Sequence, residues 1–153
     1  MVYIVCPPLT MTTSMINTEI ARLESLMEST KDLYETKQSM SKMFMLCKLV
    51  SPEQEKKIEA HTKQFQATKV LMDLKISFWK QYLTKKVRPT MLEELNAGLT
   101  EWLEASWEYF GQENIKEDSE NAKDEYKMFK QMFEMCEKKE KKKTRRGGKK
   151  HRK

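Results

Sequence analysis

A seven-residue repeat of apolar side chains runs along the first third of the chain. It consists of Leu26, Leu33, Met40 and Cys47, and neither Gly nor Pro interrupts residues 14–49. Because a straight α-helix has 3.6 residues per turn, a heptad row favours a partner helix that winds around it. The pattern predicts a helix over 14–49 that packs against another long helix.

The segment Ser51-Pro52-Glu53-Gln54 predicts a break followed by a new helix. Ser51 suits the N-cap, Pro52 suits the first helical position, and Gln54 completes a capping box. The second helix is predicted to reach residue 86, with a heptad row of Ile58, Phe65, Met72 and Trp79. Two long helices joined by such a short turn form an antiparallel hairpin.

The second half of this helix is apolar on two faces. From Val70 onward a further row appears, formed by Leu71, Leu74, Phe78 and Tyr82. A helix that is apolar on two faces needs two partners. One can be the first helix, and the other is either a second copy of the chain or the later helices.

The later chain predicts shorter helices. Arg88-Pro89 ends the hairpin, and 90–110 reads either as two short helices or as one helix containing Gly98. An acidic linker at 111–121 precedes a final helix whose inward side chains are Ala122, Tyr126, Phe129, Phe133 and Cys136.

These elements predict an all-α protein. An all-β chain needs many tight turns, and 4 Gly and 4 Pro are too few to form them. We expect an N-terminal extension at 1–13, a hairpin domain at 14–98 and an acidic segment with accessory helices at 99–136. Residues 137–153 have no apolar side chain to bury and are predicted to be disordered.

The formal charge of +6 is distributed very unevenly along the chain. Residues 1–92 carry +5, residues 93–125 carry −9, and residues 126–153 carry +10. Because local fields depend on charges within a Debye length of about 8–10 Å, these blocks matter more than the total. The basic blocks indicate a polyanionic partner.

Catalytic motifs are missing from the sequence. Its two histidines, His61 and His151, lie far from any matching Cys, and no glycine-rich loop could hold a phosphate. We read His61 as structural, and we expect no enzyme activity, no metal, no cofactor and no small-molecule substrate. No apolar run approaches the ~18–20 residues that cross a bilayer, so no membrane partner is expected either.

Duplex RNA is the partner that the basic positions favour. On the second helix, a stripe of polar and basic side chains is expected opposite the heptad row, where such groups suit phosphate and 2′-hydroxyl oxygens. The predicted RNA-binding residues, including those of the tail, are Lys56, Thr62, Lys63, Gln66, Lys69, Ser77, Lys80, Lys85, Lys86, Arg88, Arg145, Arg146, Lys149 and Lys150.

A second interpretation assigns the same features to a protein-interaction adaptor. Lysine-rich helix faces are commonly just solvated, and a basic tail can serve as a nuclear-import or membrane-surface signal. The three cysteines, Cys6, Cys47 and Cys136, are odd in number and widely spaced, which favours reduced thiols inside a cell. We expect a cytoplasmic location, or a nuclear one if the tail directs import.

The layout resembles the small double-stranded-RNA-binding silencing suppressors of insect nodaviruses. The matching features are Ser51-Pro52 at the hairpin turn, Lys85-Lys86-Val87-Arg88-Pro89 before Gly98, and the basic Arg145-Arg146-Gly147-Gly148-Lys149-Lys150. The resemblance implies a homodimer whose two hairpins form a four-helix bundle along one face of A-form RNA. It also implies that the protein shields long duplex RNA from the dicing enzyme and sequesters small duplexes, with Lys85, Lys86 and Arg88 among the contacts.

Overall fold

A computed structural model describes the backbone of residues 12–151 and the side chains of residues 12–136. Within this range the chain forms helices and no strands, which confirms the all-α prediction. The helices are α1 (Thr13–Leu46), α2 (Pro52–Leu83), α3 (Met91–Phe110) and α4 (Lys116–His151). Most of the predicted N-terminal extension, residues 1–11, lies outside the described residues.

Side-chain caps fix the hairpin turn where the sequence placed it. The Ser51 hydroxyl accepts a hydrogen bond from the Gln54 N–H at 3.3 Å, and the Gln54 side chain accepts one from the Ser51 N–H at 3.0 Å. This capping box satisfies two N–H groups that a helix start leaves free. The helix before it ends at Leu46, three residues earlier than predicted, and Lys48 takes a positive φ of 56° in the turn.

Residues 91–110 form one continuous helix with Gly98 inside it, which decides between the two alternatives. A glycine in a helix interior costs about 1 kcal/mol relative to alanine. Here it lets α3 approach α2, because a Cβ at position 98 would lie 2.8 Å from Cδ1 of Leu74. The helix ends at Gly111, whose φ of 91° suits glycine.

The last helix begins at Lys116, inside the segment predicted to be a linker through residue 121. Glu117 and Asp118 lie in its first turn, where negative charge is favourable, and Ile115 is buried just before it. The linker is therefore limited to 111–115. The backbone helix runs on into the tail, whose side chains beyond Cys136 lie outside the described residues, so the disorder predicted for 137–153 stays a prediction.

The main core lies where the last part of α2 meets the other three helices. Phe78 and Trp79 of α2 pack against Phe129 of α4, with ring centroids 4.7 and 5.3 Å apart. The same buried cluster includes residues from α1 and α3, namely Ile16, Ile20, Leu23, Met91 and Leu95. This packing confirms that α2 has apolar partners on more than one face, and it shows that the later helices supply the second partner. We call this four-helix region the body.

The rest of the hairpin extends away from the body as a two-helix arm. No residue from 24 to 59 is buried, and we call these residues the arm. At the end of the arm near the body, Tyr34 of α1 packs against α2. Its ring stacks on that of Phe65, with centroids 4.0 Å apart. Burial of apolar surface is the main source of helix–helix stability, so the arm depends on the body for its order.

The close approach at Gly98 generates a stability prediction. Gly98→Leu should destabilise the protein by about 1–3 kcal/mol, because extra atoms must be accommodated between well-packed helices. Ala97→Leu is the matched control, since Ala97 is exposed on the same helix. Urea unfolding followed by circular dichroism measures both variants, and equal stability of the two would contradict the described packing.

Candidate interaction surfaces

The heptad row of α1 faces solvent. Leu26, Leu33 and Met40 are 42, 67 and 53% exposed, and Cys47 is exposed at the helix end. We call these four residues the outer row. The heptad row predicted a partner helix, and α2 does not cover the row.

A different face of α1 makes the contact with α2. It carries Tyr34 and Gln38, whose side chains both donate hydrogen bonds to the Thr62 hydroxyl, at 3.2 and 2.9 Å. At about 100° per residue, this face lies about a third of a turn from the outer row. Heptad spacing identifies an apolar stripe on a helix. The same spacing suits a partner helix from the same chain or from another chain.

A second apolar surface lies at the end of the arm. Its large side chains are 47–84% exposed and are Met43, Phe44, Met45, Leu46 and Leu49. We call these five residues the apolar tip. Monomeric soluble proteins rarely expose large contiguous apolar patches, and such patches commonly mark interaction sites.

The predicted basic stripe on α2 is divided by the fold. Thr62 lies half-buried at the α1–α2 contact and is not on a free face. The stripe is also not opposite the heptad row of α2, because at about 100° per residue the two lie about a quarter turn apart. Thr62 therefore belongs to the hairpin contact. This corrects the expectation that Thr62 lies on a free RNA-binding face, and the expectation that the stripe lies opposite the heptad row.

Lys63 and Gln66 lie beside an acidic edge. They line a groove between α2 and α3 whose opposite wall is formed by Glu101, Glu104 and Glu108. No local pattern indicates this arrangement, because the glutamates come from a helix about forty residues later. Negative charge along this wall disfavours the binding of a polyanion such as RNA at Lys63 and Gln66.

Arg88 also has an acidic neighbour. Its guanidinium lies 3.1 Å from a carboxylate oxygen of Glu94, and both side chains are partly exposed. Lys75, a lysine of α2 that the prediction left out, forms a partly buried pair with Glu125 of α4 at 2.5 Å. Both ion pairs reduce the positive charge available to a ligand.

The other predicted lysines on α2 and in the turn after it stay free of acidic partners among the described residues. Lys56, Lys69, Lys80, Lys85 and Lys86 are exposed, and none of them forms an ion pair there. Ser77 is half-buried and accepts a hydrogen bond from Gln81 at 3.1 Å. The four predicted tail residues, Arg145, Arg146, Lys149 and Lys150, have side chains outside the described range.

Within 12–136, no three His, Cys, Asp or Glu side chains lie close enough to hold a metal ion. The described helices include none that is both long and apolar enough to cross a membrane. Two buried polar atoms, Trp79 Nε1 and Ser106 Oγ, have no hydrogen-bond partner there, and each lies in helix packing.

His61 links three helices at the base of the arm. Its ring lies 5.3 Å from that of Tyr34 in α1 and 4.8 Å from that of Tyr109 in α3. Burial lowers the pKa of His61 below 6.5, and repulsion from Lys37 lowers it further. These contacts support the structural role expected for His61.

Comparison of the chain with protein-family models, curated proteins and solved structures finds no match, so the surfaces above carry the functional argument.

The position of His61 generates a pH prediction. Because its folded-state pKa is lowered, the unfolded chain binds a proton more readily. The contribution of His61 is therefore fully present above pH 6.5 and is lost as the pH falls through the folded pKa. Urea unfolding at pH 7.5 and 5.5 should show a smaller loss of stability on acidification for His61→Phe than for the unmodified chain. An identical loss in the two proteins would contradict the assignment.

Proposed function

We propose that this chain is a non-enzymatic helical interaction protein that pairs with a second copy through the outer row of α1. The observation that carries the proposal is the exposure of Leu26, Leu33 and Met40 at heptad spacing on a face that α2 does not cover. A long helix with an uncovered apolar stripe gains free energy when another helix covers it. In this function the basic tail serves as a localisation signal.

The surroundings of the outer row suit a second helix. The positions beside it include the hydroxyl residues Ser25, Ser29 and Thr36, which are exposed and uncharged. Small polar side chains allow two helices to approach at the usual distance of about 8–10 Å. From Leu26 to Met40 the stripe covers about 21 Å of helix at 1.5 Å per residue.

The charges of α1 favour an antiparallel pair. Residues 13–29 contain three glutamates and one arginine, whereas residues 30–46 contain three lysines and two acidic residues. An antiparallel arrangement places the acidic half of one copy against the basic half of the other. It also pairs helix ends of opposite partial charge.

Substitution at the centre of the stripe tests the pairing. Leu33→Glu should convert the protein to a monomer, because a carboxylate at a helix–helix contact must be desolvated without a partner. Ser39→Glu is the control, since it adds the same charge on a neighbouring face of α1. Light scattering coupled to size-exclusion chromatography gives the mass of each. A monomeric mass for the unmodified chain at high micromolar concentration would refute the proposal.

Sequence-independent binding of duplex RNA is the second candidate function, and the exposed lysines favour it. Lys69 and Lys80 lie eleven residues apart on α2, a rise of about 16 Å, and Lys85 and Lys86 follow at the helix end. Lysines without acidic partners can neutralise phosphates. This candidate includes the homodimer and the suppression of RNA silencing that the nodaviral resemblance implies, with the duplex shielded in the host cytoplasm.

A salt titration tests this candidate. The double variant Lys69→Glu/Lys80→Glu should weaken binding to random-sequence duplex RNA and reduce the log–log salt slope by about 1–2, since each phosphate contact contributes about 0.9 in B-DNA. Lys63→Glu is the control, because Lys63 already faces three glutamates. If binding by the unmodified chain does not depend on salt, or if single strands bind equally well, the proposed binding of duplex RNA is refuted.

A further inference from the structure

The apolar tip differs from the outer row in shape. Met43, Phe44, Met45 and Leu46 are consecutive residues at the end of α1, so their side chains point about 100° apart and surround the helix. Leu46 and Leu49 are 84 and 67% exposed. The tip is therefore a convex apolar projection at the end of the arm, and no side chain between 24 and 59 is buried.

A single partner helix does not cover such a surface. Helix–helix packing buries one stripe of each helix, about 100° or more wide, whereas Met43, Phe44 and Leu46 are spread over about 160° around α1. A lipid interface, by contrast, surrounds an inserted projection on all sides and requires no matching shape. Apolar side chains of interfacial segments enter the boundary between headgroups and acyl chains to a depth of about 5–10 Å.

Lysines outnumber glutamates in the residues on either side of the hairpin turn. Residues 42–57 hold four exposed lysines, Lys42, Lys48, Lys56 and Lys57, and two glutamates, Glu53 and Glu55. The excess of positive charge complements anionic lipid headgroups, which attract nearby lysines electrostatically. A groove of about 360 Å³ at the base of the tip, lined by Phe44, Leu49 and Ile58, adds further apolar surface.

We propose that the apolar tip inserts into the interfacial layer of an anionic lipid bilayer, with the nearby lysines on the headgroups. The arm projects from the body, so the tip can enter the interface without disturbing the buried core. Such docking requires no membrane-spanning helix, and it departs from the sequence-based expectation of no membrane partner. The five residues of the tip are distinct from the four residues of the outer row.

Vesicle flotation with the full-length chain tests the proposal. The probes are vesicles of phosphatidylcholine alone and of phosphatidylcholine with one-third phosphatidylserine, at 0.1 and 0.5 M NaCl. High salt shortens the Debye length and suppresses attraction of the basic tail, whereas apolar insertion persists. The unmodified chain should float with the anionic vesicles at both salt concentrations. Leu46→Glu/Leu49→Glu should reduce binding at 0.5 M NaCl by at least about tenfold.

Two further variants separate the alternatives. Leu46→Gln/Leu49→Gln removes the apolar surface without adding charge and should also lose binding at high salt, whereas Leu33→Glu should retain it. Vesicle binding that disappears at 0.5 M NaCl for the unmodified chain would assign the attraction to the tail and overturn the proposal. Tip variants that float like the unmodified chain would overturn it too. A loss of self-association in the tip variants, measured without lipid, would assign the tip to a second copy instead.

Discussion

The packing of Phe78 and Trp79 is the contact on which the rest of the structure depends. These two side chains are almost fully buried, and α1, α3 and α4 all contribute to the cluster around them. Burying each large apolar side chain contributes about 1.5–3 kcal/mol. Because this cluster lies at one end of α2, it gathers four helices there and leaves the other end of the hairpin with only two.

The arm is the consequence that matters for function. A two-helix arm has one internal contact face, so any further apolar side chain on it meets solvent. Both the outer row and the apolar tip arise in this way, on α1 and at its end. The exposed apolar surfaces and the free lysines are therefore the features on which the proposed functions rest. The glutamates of α3 remove Lys63 from that set, while Lys69 and Lys80 stay open.

Features that depend on neighbouring residues could be predicted from the sequence, whereas features that depend on contacts between distant residues could not. The capping box at Ser51 and the helix class of each segment depend on neighbouring residues, and they could be predicted from them. The partner of the outer row could not, because heptad spacing is the same whether the second helix is internal or belongs to another copy. Whether a helix continues through Gly98 could not be predicted for a similar reason. The glycine is needed there because Leu74 of another helix approaches it closely.

The candidate site shows the same division. Lys69 and Lys80 are exposed on α2, as an RNA-binding role requires, and that role stays a prediction. Thr62 and Arg88 were placed differently by the fold, because Tyr34, Gln38 and Glu94 reach them through tertiary contacts or a turn. Ion pairing and hydrogen bonding between helices depend on register, which a single sequence does not specify.

The proposed function requires a second copy of the chain to cover the outer row of α1. Isotope-filtered nuclear Overhauser measurements on a mixture of labelled and unlabelled protein test it most directly, because they detect only contacts between copies. We expect intermolecular signals from the Leu33 methyl groups to α1 of the other copy. Leu33 methyl groups with signals only from their own chain and from water, at concentrations near 1 mM, would contradict it.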